Sequence, residues 1–372
     1  MKGKKSKVLF DKVPARALIF LCIIVAIVLL LNQNLGFADA EHSETIMNEF
    51  YEQDKDTVDV VYFGSSATQR GFVVPVAFHD EGVAAYSIAC GSQPFILTKY
   101  LIEESLKTQT PKVFIVELRG ACKGPEDLWD VAVRRVVDNM NFSSTKRDAI
   151  QKVMDYSEDY DNGIDETGLS YYFTLFKYHS RWNPSLQPKY LTNVDYYKGY
   201  TLDWGVCFRC REISPKVYDE KNIIPIAPET EKALNELLDY CDTLENSKVL
   251  FVVSPYEASL KGMGKINYSK NIVESRGYEV LNFISQEARE DLGLNDKTCY
   301  YNREHLNYHG SLKYTKYISE YVKENYSVPD RRGDVDYDSW EKQYERLQEN
   351  LKTTYLEKYE GMMKKVRKAG DN

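Results

Sequence analysis

Asp59-Val60-Val61-Tyr62-Phe63-Gly64-Ser65-Ser66, followed by Ala67-Thr68-Gln69-Arg70, is a near-continuous apolar run that stops at a glycine and two serines. A strand with apolar side chains on both faces belongs inside a parallel sheet covered by helices. Small residues at its end let the backbone turn sharply and leave a serine at the sheet's carboxyl edge, where open α/β sheets place their ligands. A serine there is positioned like a nucleophile. The same string also suits an ordinary βα turn with a serine N-cap. The catalytic reading gains weight from Glu304-His305-Leu306-Asn307-Tyr308-His309-Gly310, far downstream.

Between these two stretches, strands alternate with helical segments. Gly82 to Ile88 reads as a second buried strand running into Ala89-Cys90-Gly91-Ser92-Gln93-Pro94, and a helix follows over 94–106. Lys112 to Leu118 is a third strand, ending at Arg119-Gly120. A helix over 229–244 and strands over 248–254 and 278–283 resume the pattern, and 310–322 closes it as a helix. Alternation of this kind predicts βαβ units, hence an α/β fold with about five parallel strands in flavodoxin-like order and helices on both faces. The domain spans 45–328, interrupted by an aromatic-rich, largely helical insertion over about 125–220. Its aromatics (Tyr171, Phe173, Phe176, Tyr197, Tyr200 and Trp204 among them) suit either sugar stacking or, more simply, a core. A charged helix over 334–369 carries a weak apolar stripe that includes Trp340, Leu347 and Leu351.

The 372 residues carry a net charge of −8, which argues against a nucleic-acid partner. Residues 1–16 are basic, an apolar stretch follows to Leu31 and extends through Phe37, and Asp39, Glu41 and Glu44 come after it. Basic before and acidic after keeps the N-terminus in the cytoplasm and exports the rest. We read 17–37 as a retained transmembrane signal anchor; a signal peptide cleaved near Ala38-Asp39-Ala40 is the alternative. Of seven cysteines, Cys207 and Cys210 have metal or redox spacing without a second such pair. Buried thiols are the expectation, with a local Cys207–Cys210 disulfide as the alternative; no metal site or cofactor is expected.

Acyl transfer through a serine needs a nucleophile, a base and donors for the oxyanion. Ser66 supplies the first and His305 the second, because the loop before the last helix of such a fold returns to the carboxyl edge. Phe63-Gly64-Ser65-Ser66, Gly91 after the second strand, and His305-Leu306-Asn307 with Gly310 before the last helix resemble the SGNH hydrolase superfamily. More narrowly, they resemble its membrane-anchored branch, which includes alginate O-acetyltransferase-like proteins and the teichoic-acid D-alanyl transfer protein. Tyr178-His179-Ser180-Arg181-Trp182 also resembles a stretch of the Gram-positive relatives. The resemblance implies Ser66 as nucleophile, His305 as base, and the backbone N–H groups of Ser66 and Gly91 in the oxyanion hole. The family's aspartate three residues before the histidine falls on Asn302, whose carbonyl can hold a histidine tautomer but brings no charge. Glu117 and Glu304 are the alternative acids. The family's third-block asparagine has no counterpart, which leaves Arg119 or Gln93 as further donors.

The resemblance implies a membrane-anchored, extracytoplasmic O-acyltransferase that passes an acyl group, acetyl by expectation, through a Ser66 ester to a cell-surface glycan. A multi-spanning partner of the membrane-bound O-acyltransferase (MBOAT) type would deliver the acyl group outward. Two alternatives use the same sequence differently: a surface carbohydrate esterase with water as acceptor, and a non-catalytic glycan-binding or export-complex protein.

Overall fold

The computed structural model describes residues 13–34, 43–179, 194–207 and 218–370. Five strands, β1 (Val60–Gly64), β2 (Ala85–Ala89), β3 (Val113–Glu117), β4 (Lys248–Val253) and β5 (Glu279–Asn282), form one parallel sheet in the order β2-β1-β3-β4-β5. This is the flavodoxin-like order expected from the alternation. Each strand is trimmed by up to three residues relative to its apolar run because the run's ends enter turns.

The helices used below are α1 (Val13–Asn34), α2 (Ser43–Tyr51), α3 (Ser66–Gly71), α4 (Val74–Glu81), α5 (Thr98–Ser105), α6 (Asp130–Val137), α7 (Ser144–Ser157), α8 (Leu169–Tyr172) and α9 (Leu175–Tyr178). After these come α10 (Pro228–Cys241), α11 (Leu260–Ser275), α12 (Gln286–Asp291), α13 (Tyr308–Tyr326), α14 (Asp338–Lys352) and α15 (Leu356–Ala369).

Val60, Val61, Tyr62 and Phe63 are all 0% exposed, and successive strand side chains point to opposite faces, so both faces of β1 are covered. Helices α3, α4 and α13 pack together over one face, where the Tyr62 and Tyr314 hydroxyls share a hydrogen bond of 2.8 Å. On that face the Val73 N–H donates to Thr315 Oγ1 at 2.7 Å. A second group is formed by α5 with α7 and α10, while α11 lies on β5 and on the turn after β3.

An outer strand exposes a row of backbone groups that folded proteins must cover. In β2 the Ser87 N–H donates to Lys198 O at 3.1 Å, and the Trp340 indole N–H donates to Ala85 O at 2.8 Å. Lys198 and Gly199 make the turn that reaches Ser87, with φ of 50° and 88°. At Gly199 a Cβ would lie 1.9 Å from Ser87 O, so only glycine allows this approach. Arg331 clamps Asp59, just before β1, through bonds of 2.7 and 2.9 Å.

The expected single C-terminal helix is two. The chain breaks between Lys352 and Leu356, so that Leu347 and Leu351 of α14 and Met362 and Val366 of α15 are all buried. One straight helix could not fold its second half back onto the first. The insertion's aromatics also divide: Tyr171, Tyr196, Tyr197 and Tyr200 are core, whereas Phe173 and Phe176 are exposed. Cys207 is disulfide-bonded, contrary to the expected thiol; Cys210 lies outside the described residues.

Among the described residues, one helix is long and apolar enough to cross a membrane. Its stretch Pro14–Leu31 has a mean hydropathy of 2.8, and none of it is buried. The 22 residues of α1 span about 33 Å, matching a hydrocarbon core of about 30 Å. Residues 35–37 of the expected anchor lie outside the described residues.

Candidate active site

The sheet order reverses between β1 and β3, so the crevice outside their carboxyl ends is the fold's natural ligand position. Ser66 occupies it as the first residue of α3, immediately after Ser65 at the N-cap. Gly64 is required for this placement. A Cβ there would lie 2.1 Å from Thr68 Oγ1 and 2.8 Å from the Glu117 Cβ.

His305 arrives from the other end of the chain. Its loop is pinned as a narrow hairpin by the Tyr301 N–H donating to His305 O at 2.9 Å and by a bridge between Tyr300 and Leu306. Asn307, fully buried, fixes that hairpin from below. Its Oδ1 caps α13 through the Gly310 N–H at 3.0 Å, and its Nδ2 donates to Gly205 O at 2.9 Å and Thr298 O at 2.7 Å. At Gly310 a Cβ would meet Cys299 O at 2.2 Å, so the helix start lies directly on the loop.

Ser66 Oγ lies 2.7 Å from His305 Nε2, and His305 Nδ1 lies 3.0 Å from Asn302 Oδ1. The proton positions follow from the backbone. Asn302 Oδ1 also faces the N–H groups of Glu304 at 2.8 Å and His305 at 3.0 Å. Backbone N–H groups only donate, so the atom they face is the amide oxygen and His305 Nδ1 must carry a proton. In a neutral ring Nε2 is then an acceptor, and the Ser66 hydroxyl donates to it. Burial, then the cations of Arg70 and Arg119, push His305 down to about 3 from its ordinary 6.5, so the ring is neutral at physiological pH.

The other candidates fall into place around this pair. Register pairs Gly64 with Ala89, so Ser66 and Gly91 each lie two residues beyond matched positions on adjacent strands. Gly91 O accepts from Arg135 Nη1 at 2.7 Å, and the next residue, Ser92, has a φ of 58°. Positive φ in a non-glycine residue is costly and concentrates at functional loops. Gln93 is tied into its own loop: Nε2 donates to Ile88 O at 3.3 Å and Oε1 accepts from the Cys90 thiol at 3.6 Å. Arg119 stacks on Tyr256 at 3.9 Å and donates to Glu304 O at 2.8 Å, with the Glu304 carboxylate at 3.4 Å.

The two alternative acids serve elsewhere. Glu304 faces Arg119, whereas Glu117 is buried and accepts from the Ser254 N–H, the Ser254 hydroxyl and the Arg119 N–H. Burial raises the Glu117 pKa above the usual carboxylate range. Among the described residues no group of His, Cys, Asp and Glu is arranged to hold a metal ion. Sequence reasoning passed over Arg70, which forms a 3.4 Å ion pair with Asp203 and adds, after burial, to what disfavours a charge on His305. Its place one turn after Ser66 was the available signal. It also gave Asn307 no positioning role, although an asparagine three residues before Gly310 is an N-cap pattern. Tyr178 and His179 of the other noted stretch are described; Ser180, Arg181 and Trp182 are not among the described residues.

No protein-family model matches the chain, and no curated protein matches it.

Proposed function

We propose that this chain is a membrane-anchored serine O-acyltransferase of the SGNH type, with its catalytic domain outside the cytoplasm. The observation that carries the reading is the 2.7 Å Ser66–His305 contact at the switch point of a parallel sheet, with the tautomer fixed by Asn302. In the proposed reaction, Nε2 takes the Ser66 proton as Oγ attacks the acyl carbonyl. The N–H groups of Ser66 and Gly91 receive the oxyanion; the first N–H groups of a helix have no partner within it. Collapse of the tetrahedral intermediate expels the donor's leaving group, which takes the proton from Nε2. A hydroxyl of a cell-surface glycan then repeats the sequence on the Ser66 ester, giving up its proton to Nε2 and receiving the acyl group.

Arg70 and Arg119 disfavour the imidazolium in the resting site, and the negative oxyanion offsets that penalty as it forms. The spanning helix and its charge flanks support an outward-facing domain, and an acyl donor made in the cytosol would then need a multi-spanning MBOAT-type partner. The test expresses the full chain with and without that partner and measures acylation of surface glycan and the acyl mass on Ser66. Partner-dependent acylation, lost in Ser66→Ala, is expected. Hydrolysis of acyl esters with no transfer would favour the esterase, and an unlabelled Ser66 with wild-type glycan acylation would overturn the nucleophile.

A further inference from the structure

Leu169, Tyr172, Phe173 and Phe176 recur at the i, i+3, i+4, i+7 spacing by which a surface helix normally presents an apolar stripe to the core, but the chain breaks at Phe173 into the two short helices α8 and α9. Here three of the four face outward, and Tyr172 packs on the core. Leu169 is 52% exposed, Phe173 42% and Phe176 64%, while the intervening Ser170 and Tyr171 are buried. The inversion has a clear cause. Buried Arg134 donates to Ser170 O at 3.1 Å and Ser170 Oγ at 2.5 Å, and Tyr171 donates to Asp130 at 2.8 Å, so the polar side of α8 is held inward. Phe142, 82% exposed, joins the outward stripe by an edge contact with Tyr172 at 6.1 Å, and Phe173 meets Phe176 at 6.0 Å. Contiguous exposed apolar surface of this kind marks an interaction site.

The path of the chain names the occupant. Helix α1 ends at Asn34 and the domain begins at Ser43, so the connection spans at most about 32 Å. Ser43 Oγ lies 3.5 Å from Asn139 Nδ2, and the Asn141 N–H donates to the Tyr51 hydroxyl of α2 at 3.1 Å. Phe142 follows directly. The apolar stripe therefore begins beside the point where the domain is tied to its spanning helix, within the reach of that connection to the bilayer. Aromatic side chains favour the boundary between headgroups and acyl chains.

We propose that Phe142, Leu169, Phe173 and Phe176 form a lipid-docking surface that seats the domain in the outer layer of its own membrane. The surface fixes the domain's orientation over the bilayer, and it does so independently of the chemistry at Ser66.

The test reconstitutes the full chain in phosphatidylcholine vesicles whose acyl chains carry bromine near the headgroup end. Phe173→Trp and Phe176→Trp are compared with Leu260→Trp, at the start of α11 and 61% exposed. Emission of the tryptophans added at 173 and 176 is expected to fall about twofold relative to unbrominated vesicles, unchanged in molar salt, with no fall at 260. Equal quenching at all three positions, or none, would overturn the proposal. Quenching at 173 and 176 that appears only after a membrane protein is co-reconstituted would assign the stripe to a protein and overturn it too. A chain that fails to float with the vesicles would overturn the anchor and the docking surface together. Flotation without quenching would overturn the docking surface alone, and neither result bears on Ser66.

Discussion

Buried Glu117 and half-buried His305 are titratable groups at the carboxyl edge of one sheet, and the protein handles them in opposite ways. Glu117 receives three donors and joins the end of β4 to the turn after β3. His305 receives no full charge to balance the one it would acquire; its Nδ1 meets a neutral amide, and two guanidinium groups lie nearby. The carboxylate is spent on architecture while the imidazole is kept neutral, able to accept a proton from a serine 2.7 Å away. Proximity of an acid to the site is therefore a poor guide to its role: the bonds already made decide what remains available for chemistry.

The largest expected effect breaks this contrast on the His305 side. Ser66→Ala should lower acyl transfer by about 10³-fold or more, because loss of a nucleophile leaves only binding and oxyanion donors. Ser65→Ala should stay within about threefold of the parent, measured as kcat on an aryl acetate with thermal melting as the folding control. Glu117→Gln breaks the other side. An amide presents one acceptor oxygen to three donors, so stability should fall by about 1–3 kcal/mol in denaturant titration.

The same variant tests the sign of linkage at Glu117. Its folded pKa is raised, so above the unfolded value near 4.5 the native state binds more protons than the unfolded one. The wild type should therefore lose stability as pH rises through that window, and Glu117→Gln should remove that contribution. For His305 the sign reverses. Between about 3 and 6.5 the unfolded chain binds the extra proton, so this group's contribution to stability grows as pH rises and is complete above 6.5. The acid limb of kcat/KM should accordingly lie well below pH 6.

A smaller change sharpens the contrast. Asn302→Asp keeps the acceptor that orients Nδ1 and adds the missing charge. It should raise kcat about tenfold and move the acid limb upward by about one unit, read from the pH profile. An Asp variant much slower than the parent, with the fold intact, would give Asn302 another role. The smallest effect belongs to Arg119→Gln, which removes one of the two cations. The acid limb should rise by a few tenths of a unit, and kcat should change less than about threefold.

Much of the sheet is legible in the sequence, because β1 to β4 are apolar runs ended by glycine, proline or a polar turn. The Ser66–His305 pairing is legible for the same reason: in this topology the turn after β1 and the loop before the last helix meet at one edge. The electrostatics are not. Arg70 and Arg119 lie 49 residues apart in sequence, and only packing brings both cations near enough to act on His305. The sequence marks Tyr171, Phe173 and Phe176 as one aromatic tract but not which ring turns inward, and buried Arg134, which holds Ser170, supplies that direction. Gln93 looked like a free donor because sequence cannot show that an amide is tied to Ile88 O. The C-terminal segment has one helical pattern, and the turn at Thr353 follows from two short apolar stretches needing the same core.

The clamps on β1 and β2 set when the domain can be finished. Asp59 and Arg331 are 272 residues apart, and Ala85 and Trp340 are 255 apart. Contacts of such separation close only after a large loss of chain entropy, which slows folding and prolongs exposure of apolar surface. In a chain that emerges from its N-terminal end, β1 and β2 are among the first segments out and wait longest for their covers. An anchored N-terminus would hold them at the membrane surface through that interval, so completion of the fold would be timed by arrival of Arg331 and Trp340.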